Sequence, residues 1–513
     1  MTATTVASSS QYLALAEKAR AFLSASTDPF HAVANAVAKL ESAGFQKVRY
    51  GRNALASNTD NRPKFAPGGK YYYTVHHSTL VAFTIGQQYT QGTGARQAHP
   101  AFHVIGGHTD SPNLKVKPRS QKPSKGTTSV VQLGVECYGG GLWHTWFDRD
   151  LSISGKVLVR ETATAASNGA GQGSVVQPTL VKLEDPIARV STLCIHLQSA
   201  EERRAFAVNK EEHTSPTIAS TVQNMMEPNE QLEQGAAVQL NGSTGTDSWQ
   251  KGQEPLLLQR IAKELNIEVS QIADWELSLY DTQPAAIGGM HGEFLYSARL
   301  DNLATVFCAV EALTSHSLDL STSQDVDMIV CFDHEEVGSV SSHGAGSPVM
   351  LEAMDRVRDG LGISPDPALH ATSIASSFCL SIDQAHAIHP NYASKHEAQH
   401  APVLNGGVVI KTNSNQRYAT NGTTSFLLRE LAKSCDVPIQ EFAVRNDCPC
   451  GSTIGPTISA LTGLRVVDAG MPQLSMHSCR EMMGTKDLTH GVNLFRAFFG
   501  NFRKIDQNLS GDE

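Results

Sequence analysis

The chain reads as an α/β protein: a mixed central sheet with helices on both faces, interrupted by an inserted β-rich domain. Three observations lead there. Between residues 268 and 505, strand-like and helix-like segments alternate. Residues 118–267 show short alternating strands with glycine-rich turns and little helical periodicity before Leu256. Residues 12–117 supply further helices and strands, so the block is an insertion between two parts of one domain.

The elements follow in order. "YLALAEKARAFLSAS" and "PFHAVANAVAKLESAGF" carry apolar residues at helical spacing, punctuated by Asp28-Pro29 and Gly44, and predict two helices. "KYYYTVHHSTLVAFTIG" and "AFHVIGGHTDSP" are strand-like, the second stopping at Gly106-Gly107 before His108. In the insert, "TTSVVQLGVECYGGGLW", "DLSISGKVLVRE" and "STLCIHLQSA" are strand-like, and 165–173 is a loop rich in Gly, Ser and Ala. After it, "WELSLYD", "VDMIVCFD", "SSFCLSID", "IQEFAVR" and "LRVVDAGM" are expected strands. They are interleaved with helices such as "LDNLATVFCAVEALTS" and "LTHGVNLFRAFFGNF". In such sheets, ligands gather past the carboxyl ends of the strands.

At 513 residues the chain exceeds one domain of roughly 100 to 200 residues. With 40% hydrophobic and 18% charged residues, it has ample material for a core. A formal charge of -9 and the lack of a basic block exclude a nucleic-acid binder. No stretch nears the roughly 20 apolar residues that span a bilayer, and the start shows no basic region leading into an apolar core, so no membrane association and a cytoplasmic location are expected. Nine cysteines without framework spacing read as reduced thiols, Cys448 and Cys450 included. The sequons at Asn241, Asn421 and Asn508 carry no weight in that compartment.

The apolar run of "VCFDHEEVGS" ends on adjacent carboxylates, Glu335 and Glu336. Other expected strand ends carry similar chemistry: His108 and Asp110 after "FHVIGG", Asp301 after "FLYSAR", Asp383 after "FCLSI", and His477 beyond "RVVDAG". Two histidines and three carboxylates suit two borderline metals such as zinc, with one carboxylate shared. Metals roughly 3.5 to 4 Å apart lower the pKa of a bridging water and clamp a carbonyl. One acid of the Glu pair is left over to move protons.

Together these residues resemble the aspartyl aminopeptidase family of dinuclear zinc peptidases. The matching stretches are "GGHTDSPNLKVKP", "GVECYGGGLWHTWFDRDL", "IHLQ", "ARLDNL", "DHEEVGS", "SIDQAHAIHPNY", "VVIKTNSNQRYATNG", "NDCPCGSTIGP" and "SMHSCREM", in order along nearly the whole chain. The resemblance implies two Zn2+ per subunit, with Mn2+ or Co2+ as alternatives in one site. Asp301 would bridge them, His108 and Asp383 would complete one site, and Glu336 and His477 the other. Glu335 would be the general acid/base, and Asp110 would orient His108.

Substrate would meet His196, His386, Lys411 and Tyr418 as well as Glu335. Lys411 would offer a cation to an acidic N-terminal side chain, which the chain's own negative field otherwise repels. The insert would pair subunits and pass His196 into a neighbour's active site. His334, Trp143 and His389 read as structural, and "HTWFDRD" as packing and interface. The resemblance thus implies an aminopeptidase removing N-terminal Asp or Glu from peptides, as a homo-oligomer, expected to be a dodecamer built from dimers. The alternatives are a neutral, vacuolar aminopeptidase I-like enzyme, and a self-assembling scaffold or autophagy cargo shell with incidental activity.

Overall fold

The structure, a computed structural model, describes residues 9–49, 64–89, 99–123, 129–161, 175–221, 248–363 and 366–509. The 165–173 loop and the Asn241 sequon lie outside them. The chain divides into two units, 1–111 with 285–513, and 112–284.

The first unit is built on a nine-stranded mixed sheet. In spatial order its strands are Gln46–Lys47, Lys70–Val75, Thr79–Ile85, Val326–Phe332, Phe102–His108, Phe378–Ile382, Arg465–Gly470, Val408–Lys411 and Ile439–Phe442. The four strands at its centre, Val326–Phe332 to Arg465–Gly470, are parallel. Each is buried along most or all of its length, as a strand covered on both faces must be.

Alternate side chains of Val326–Phe332 serve two cores. Ile329 and Cys331 pack with the helices Ser9–Ala25, Pro29–Ser42, Leu300–His316, Gly422–Ser434 and Thr485–Asp506. Val326, Met328, Val330 and Phe332 pack with Val349–Gly360 and Ile454–Thr462. The expected sheet with helices on both faces is therefore present.

Local chemistry sets the helix starts. Asp28 accepts the His31 N–H at 3.0 Å ahead of Pro29. Asn421 caps Gly422–Ser434 in a reciprocal box with Thr424, so this sequon asparagine serves as a helix cap. A second sheet in this unit, of five short strands, joins Ala286–Gly288, Phe294–Ser297, Glu481–Gly484, Pro472–Leu474 and Ala385–His386.

The second unit is a six-stranded antiparallel sheet in the order Val176–Lys182, Leu151–Arg160, Ile272–Asp281, Asn113–Gln121, Val130–Tyr138 and Thr217–Ser220. "WELSLYD" was expected to open the returning α/β part. It lies instead in Ile272–Asp281, paired along its length with Leu151–Arg160. Alternation along the chain does not reveal hydrogen-bond partners, and here those partners are distant in sequence. "CIHLQ" is a second departure: it forms a short helical turn, Ile195–Leu197, that pairs with no strand among the described residues, and leaves Ile195 and Leu197 exposed. In "HTWFDRD", Trp146 is buried, as is Trp143 just before it, and Arg149 pairs with Asp281.

Candidate dinuclear metal centre

Three adjacent parallel strands deliver the first ligands. His108 ends one strand beside Phe332 of the next, so Asp110 and the Asp333–Glu336 turn emerge together. Asp383 follows Ile382 on the other neighbour. Asp301 enters in the first turn of Leu300–His316, where the peptide to Asn302 is cis and Asn302 Nδ2 donates to the Ile382 carbonyl at 2.8 Å. His477 arrives on the loop after Pro472–Leu474. Arg299, His334 and His477 all have positive φ, at 59°, 63° and 66°. Non-glycine residues adopt that conformation at a cost, and it turns these segments sharply inward.

Two triads of ligand atoms share Asp301: His108–Asp301–Asp383 and Asp301–Glu336–His477. His108 Nε2 lies 3.4 Å from Asp301 Oδ1 and from Asp383 Oδ1. His477 Nε2 lies 3.5 Å from Asp301 Oδ2 and 3.2 Å from Glu336 Oε2. A third grouping, His108–Glu335–Glu336, adds Glu335, whose Oε2 is 3.8 Å from His108 Nε2.

Asp110 organises both sides of this cluster. Its carboxylate oxygens accept the backbone N–H groups of Glu335 and Glu336, each at 3.1 Å. Its carbonyl lies 3.0 Å from His108 Nδ1, which turns Nε2 to the acids. The strand packs closely here: a Cβ on Gly107 would meet Thr305 Cγ2 at 3.0 Å.

The electrostatics call for cations. Asp301, Glu335, Glu336 and Asp383 converge with Lys411 as the nearby fixed positive charge, its Nζ 3.1 Å from Asp383 Oδ2. Burial pushes Glu335 up to about 8, and Asp383 and Asp301 add to this against the pull of His108. Glu336 is pushed well above the usual carboxylate range by burial and then by Asp301. Burial opposes charge on His108 as well, but the Glu335 charge and the neighbouring carboxylates of Asp110, Asp301 and Asp383 hold it well above its ordinary value. Asp383 is held low despite burial, chiefly by Lys411 and then His108. Asp301 Oδ1 and Glu336 Oε1 are buried without a hydrogen-bond partner. Orphaned buried anionic oxygens in a carboxylate–imidazole set fit a borderline divalent metal at each triad.

Beside the cluster is a cavity of about 560 Å³, open mouth included, lined by His386, Tyr418, Lys395, Arg445 and Glu397 among others. Burial and then Lys411 lower His386 to about 4, so its imidazole is neutral at pH 7. Lys411 Nζ stands 5.5 Å from the Tyr418 ring centroid, and Tyr418 is buried, which with Cys450 raises its hydroxyl. The structure thus groups His108, Asp110, Asp301, Glu335, Glu336, Asp383, Lys411 and His477, with His386 and Tyr418 on the adjoining cavity. His196 belongs to the other unit and is exposed on its turn.

Glu481 is a residue the sequence reading missed. It is 3% exposed, accepts the Asp301 N–H at 3.1 Å and the His477 N–H at 2.8 Å, and so holds the backbone of two candidate ligands. Burial and then Asp301 push it up to about 8. Its signal was an acid four residues after His477 in "HSCRE", too common a spacing to single out.

Residues 22–499 match the model of the aminopeptidase I zinc metalloprotease family, M18. The chain belongs to that family. It is a metalloaminopeptidase, as its relatives' names agree. It is 43% identical over 508 residues to a probable aspartyl aminopeptidase of Ricinus communis, covering 96% of each chain. It is 41% identical to aspartyl aminopeptidase 1 of Schizosaccharomyces pombe, again covering 96% of each. Among solved structures, the Ape4 and Nbr1 complex gives a TM-score of 0.84 at 39% identity, over 98% of this chain and 88% of that one. The S. cerevisiae mApe1 dodecamer gives 0.77 at 26%, over 97% and 98%. No helix among the described residues of this M18 chain is long and apolar enough to cross a membrane.

Proposed function

We propose that this M18 enzyme hydrolyses N-terminal Asp or Glu from peptides at two zinc ions per chain. The observation that carries the metal reading is the pair of ligand triads sharing Asp301. His108 and Asp383 would hold one ion with Asp301, and Glu336 and His477 the other. When bound, zinc supplies Lewis acidity that polarises the scissile carbonyl and acidifies water. Mn2+ or Co2+ would be the alternatives in one site.

The chain's own groups do the rest. Glu335 takes a proton from water and hands it to the leaving amine as the peptide C–N bond breaks. Asp110 holds the Glu335–Glu336 backbone and the His108 ring in register. Lys411 carries three donors, of which Asp383 takes one, and it would meet the acidic side chain of the substrate. The neutral His386 and Tyr418 would complete that pocket.

Leu193, Ile195 and Leu197 are 47%, 60% and 71% exposed around His196. This apolar strip supports a subunit interface through which His196 would donate to a neighbour's oxyanion. A dodecamer built from dimers is the assembly proposed, in keeping with the relative solved as one. Nine free cysteines support the cytoplasm as its compartment. Hydrolysis of Asp-, Glu- and Leu-anilides by the purified protein, before and after chelation, tests the reading. Preference for Leu-anilide, or activity that survives metal removal, would refute it.

A further inference from the structure

We propose that Asp333, His334 and His343 form an additional divalent-cation site, distinct from the two triads that share Asp301 and suited to a borderline ion such as Zn2+. His334 and His343 each turn Nε2 to the same oxygen, Asp333 Oδ2, at 3.7 Å. Their ring centroids are 4.5 Å apart. The 3.7 Å from each Nε2 to Oδ2 is too long for a hydrogen bond. Two ligand atoms about 2.0–2.1 Å from one tetrahedral ion stand roughly 3.3 Å apart, so a small contraction closes this set around a single cation. Ligand atoms in the Asp301 triads show a similar spacing, 3.2 to 3.5 Å.

The surrounding polar atoms support ligation. Asp333 is 3% exposed, and its Oδ1 accepts the His334 N–H at 2.7 Å, which turns Oδ2 to the rings. His334 Nδ1 lies 2.9 Å from Ser341 Oγ, which also accepts the Gly344 N–H at 3.0 Å. With Nδ1 held at that hydroxyl, Nε2 is the ring nitrogen turned to Asp333. His343 Nδ1 meets Ser342 Oγ at 3.1 Å, and that hydroxyl reaches His76 Nε2 at 3.3 Å, so here too Nδ1 is engaged by a serine while Nε2 is turned to Asp333. Imidazole nitrogens and one carboxylate oxygen select Zn2+, Ni2+ or Co2+ over Mg2+ or Ca2+.

Asp333 and His334 precede Glu335 directly, and His343 lies beyond Ser339 in the same loop. A cation there ties both ends of the loop that carries Glu335 and Glu336.

The test titrates the protein, dialysed with its tightly held metal in place, with ZnCl2 by calorimetry, while elemental analysis reports the tight metal separately. One further equivalent per chain is expected in the wild type. His343→Gln removes it without changing the tight metal content, and Ser341→Ala, which keeps all three ligands, weakens it about 10- to 100-fold. Zn2+ slows hydrogen exchange of the 335–344 amides in the wild type and not in His343→Gln. Circular dichroism checks each fold; if His343→Gln misfolds, the Ser341→Ala shift decides. No further equivalent in the wild type, one that survives His343→Gln, or an unshifted Ser341→Ala overturns the site. Low tight metal content refutes the Asp301 centre instead.

Discussion

Replacing Glu481 with Gln measures how far the metal centre depends on one buried carboxylate. Its two oxygens accept the backbone N–H groups of Asp301 and His477, and these residues lie in both ligand triads. Gln matches the volume but offers one oxygen and one NH2. At least one of the two N–H groups then faces a donor, in a site only 3% exposed. Losing a hydrogen bond to a charged group costs about 1.5–3 kcal/mol. Disturbing an outer partner of a metal ligand lowers affinity about 10- to 100-fold, which is a comparable energy. Glu481→Gln is therefore expected to bind zinc about 10- to 100-fold more weakly while retaining its overall fold. Competition against a zinc chelator gives the affinity, and circular dichroism the fold. Affinity within about twofold of wild type would show that Asp301 and His477 are held by other contacts, and the role assigned to Glu481 would fall.

Glu335→Gln should keep metal and lose roughly two to four orders of magnitude in kcat, whereas Glu336→Gln should lose metal; equal metal loss in both reverses the assignment within the pair. Lys411→Met should cost about 2 to 5 kcal/mol in kcat/KM on acidic substrates and spare Leu-substrates, whereas equal losses on both would confine Lys411 to its contact with Asp383. In chelated protein, burial raises Glu335 and Glu481 from 4.5 to about 8, so the stability each contributes is present below about pH 4.5 and is lost as pH rises through 8. The Tm gap between zinc-loaded and chelated protein should widen from pH 6 to pH 8.5, and a gap that narrows refutes this account. Mixing Glu335→Gln with His196→Phe subunits under verified exchange should restore activity if His196 acts across an interface, and no recovery rules that out.

The sequence by itself determined the sheet with helices on both faces, because largely apolar strands such as Val326–Phe332 and amphipathic helices leave strong periodic signals. It also pointed to His108, Asp301, Glu335, Glu336, Asp383 and His477: one acid or histidine ending an apolar run is more often a cap or a solvated group, but five such strand ends together are hard to ascribe to coincidence. Only the tertiary structure decided partners. Ile272–Asp281 joined the antiparallel sheet because hydrogen-bond pairing is non-local and leaves no mark on a strand's own composition. Glu481 gained its place because Asp301 and His477, 176 positions apart by number, present their N–H groups to one carboxylate. Lys411 ended against Asp383, where its positive charge holds that carboxylate ionised. Sequence spacing records which groups are available, whereas distances between remote groups are set by how the strands stack, and it is those distances that bring isolated acids and imidazoles into one centre.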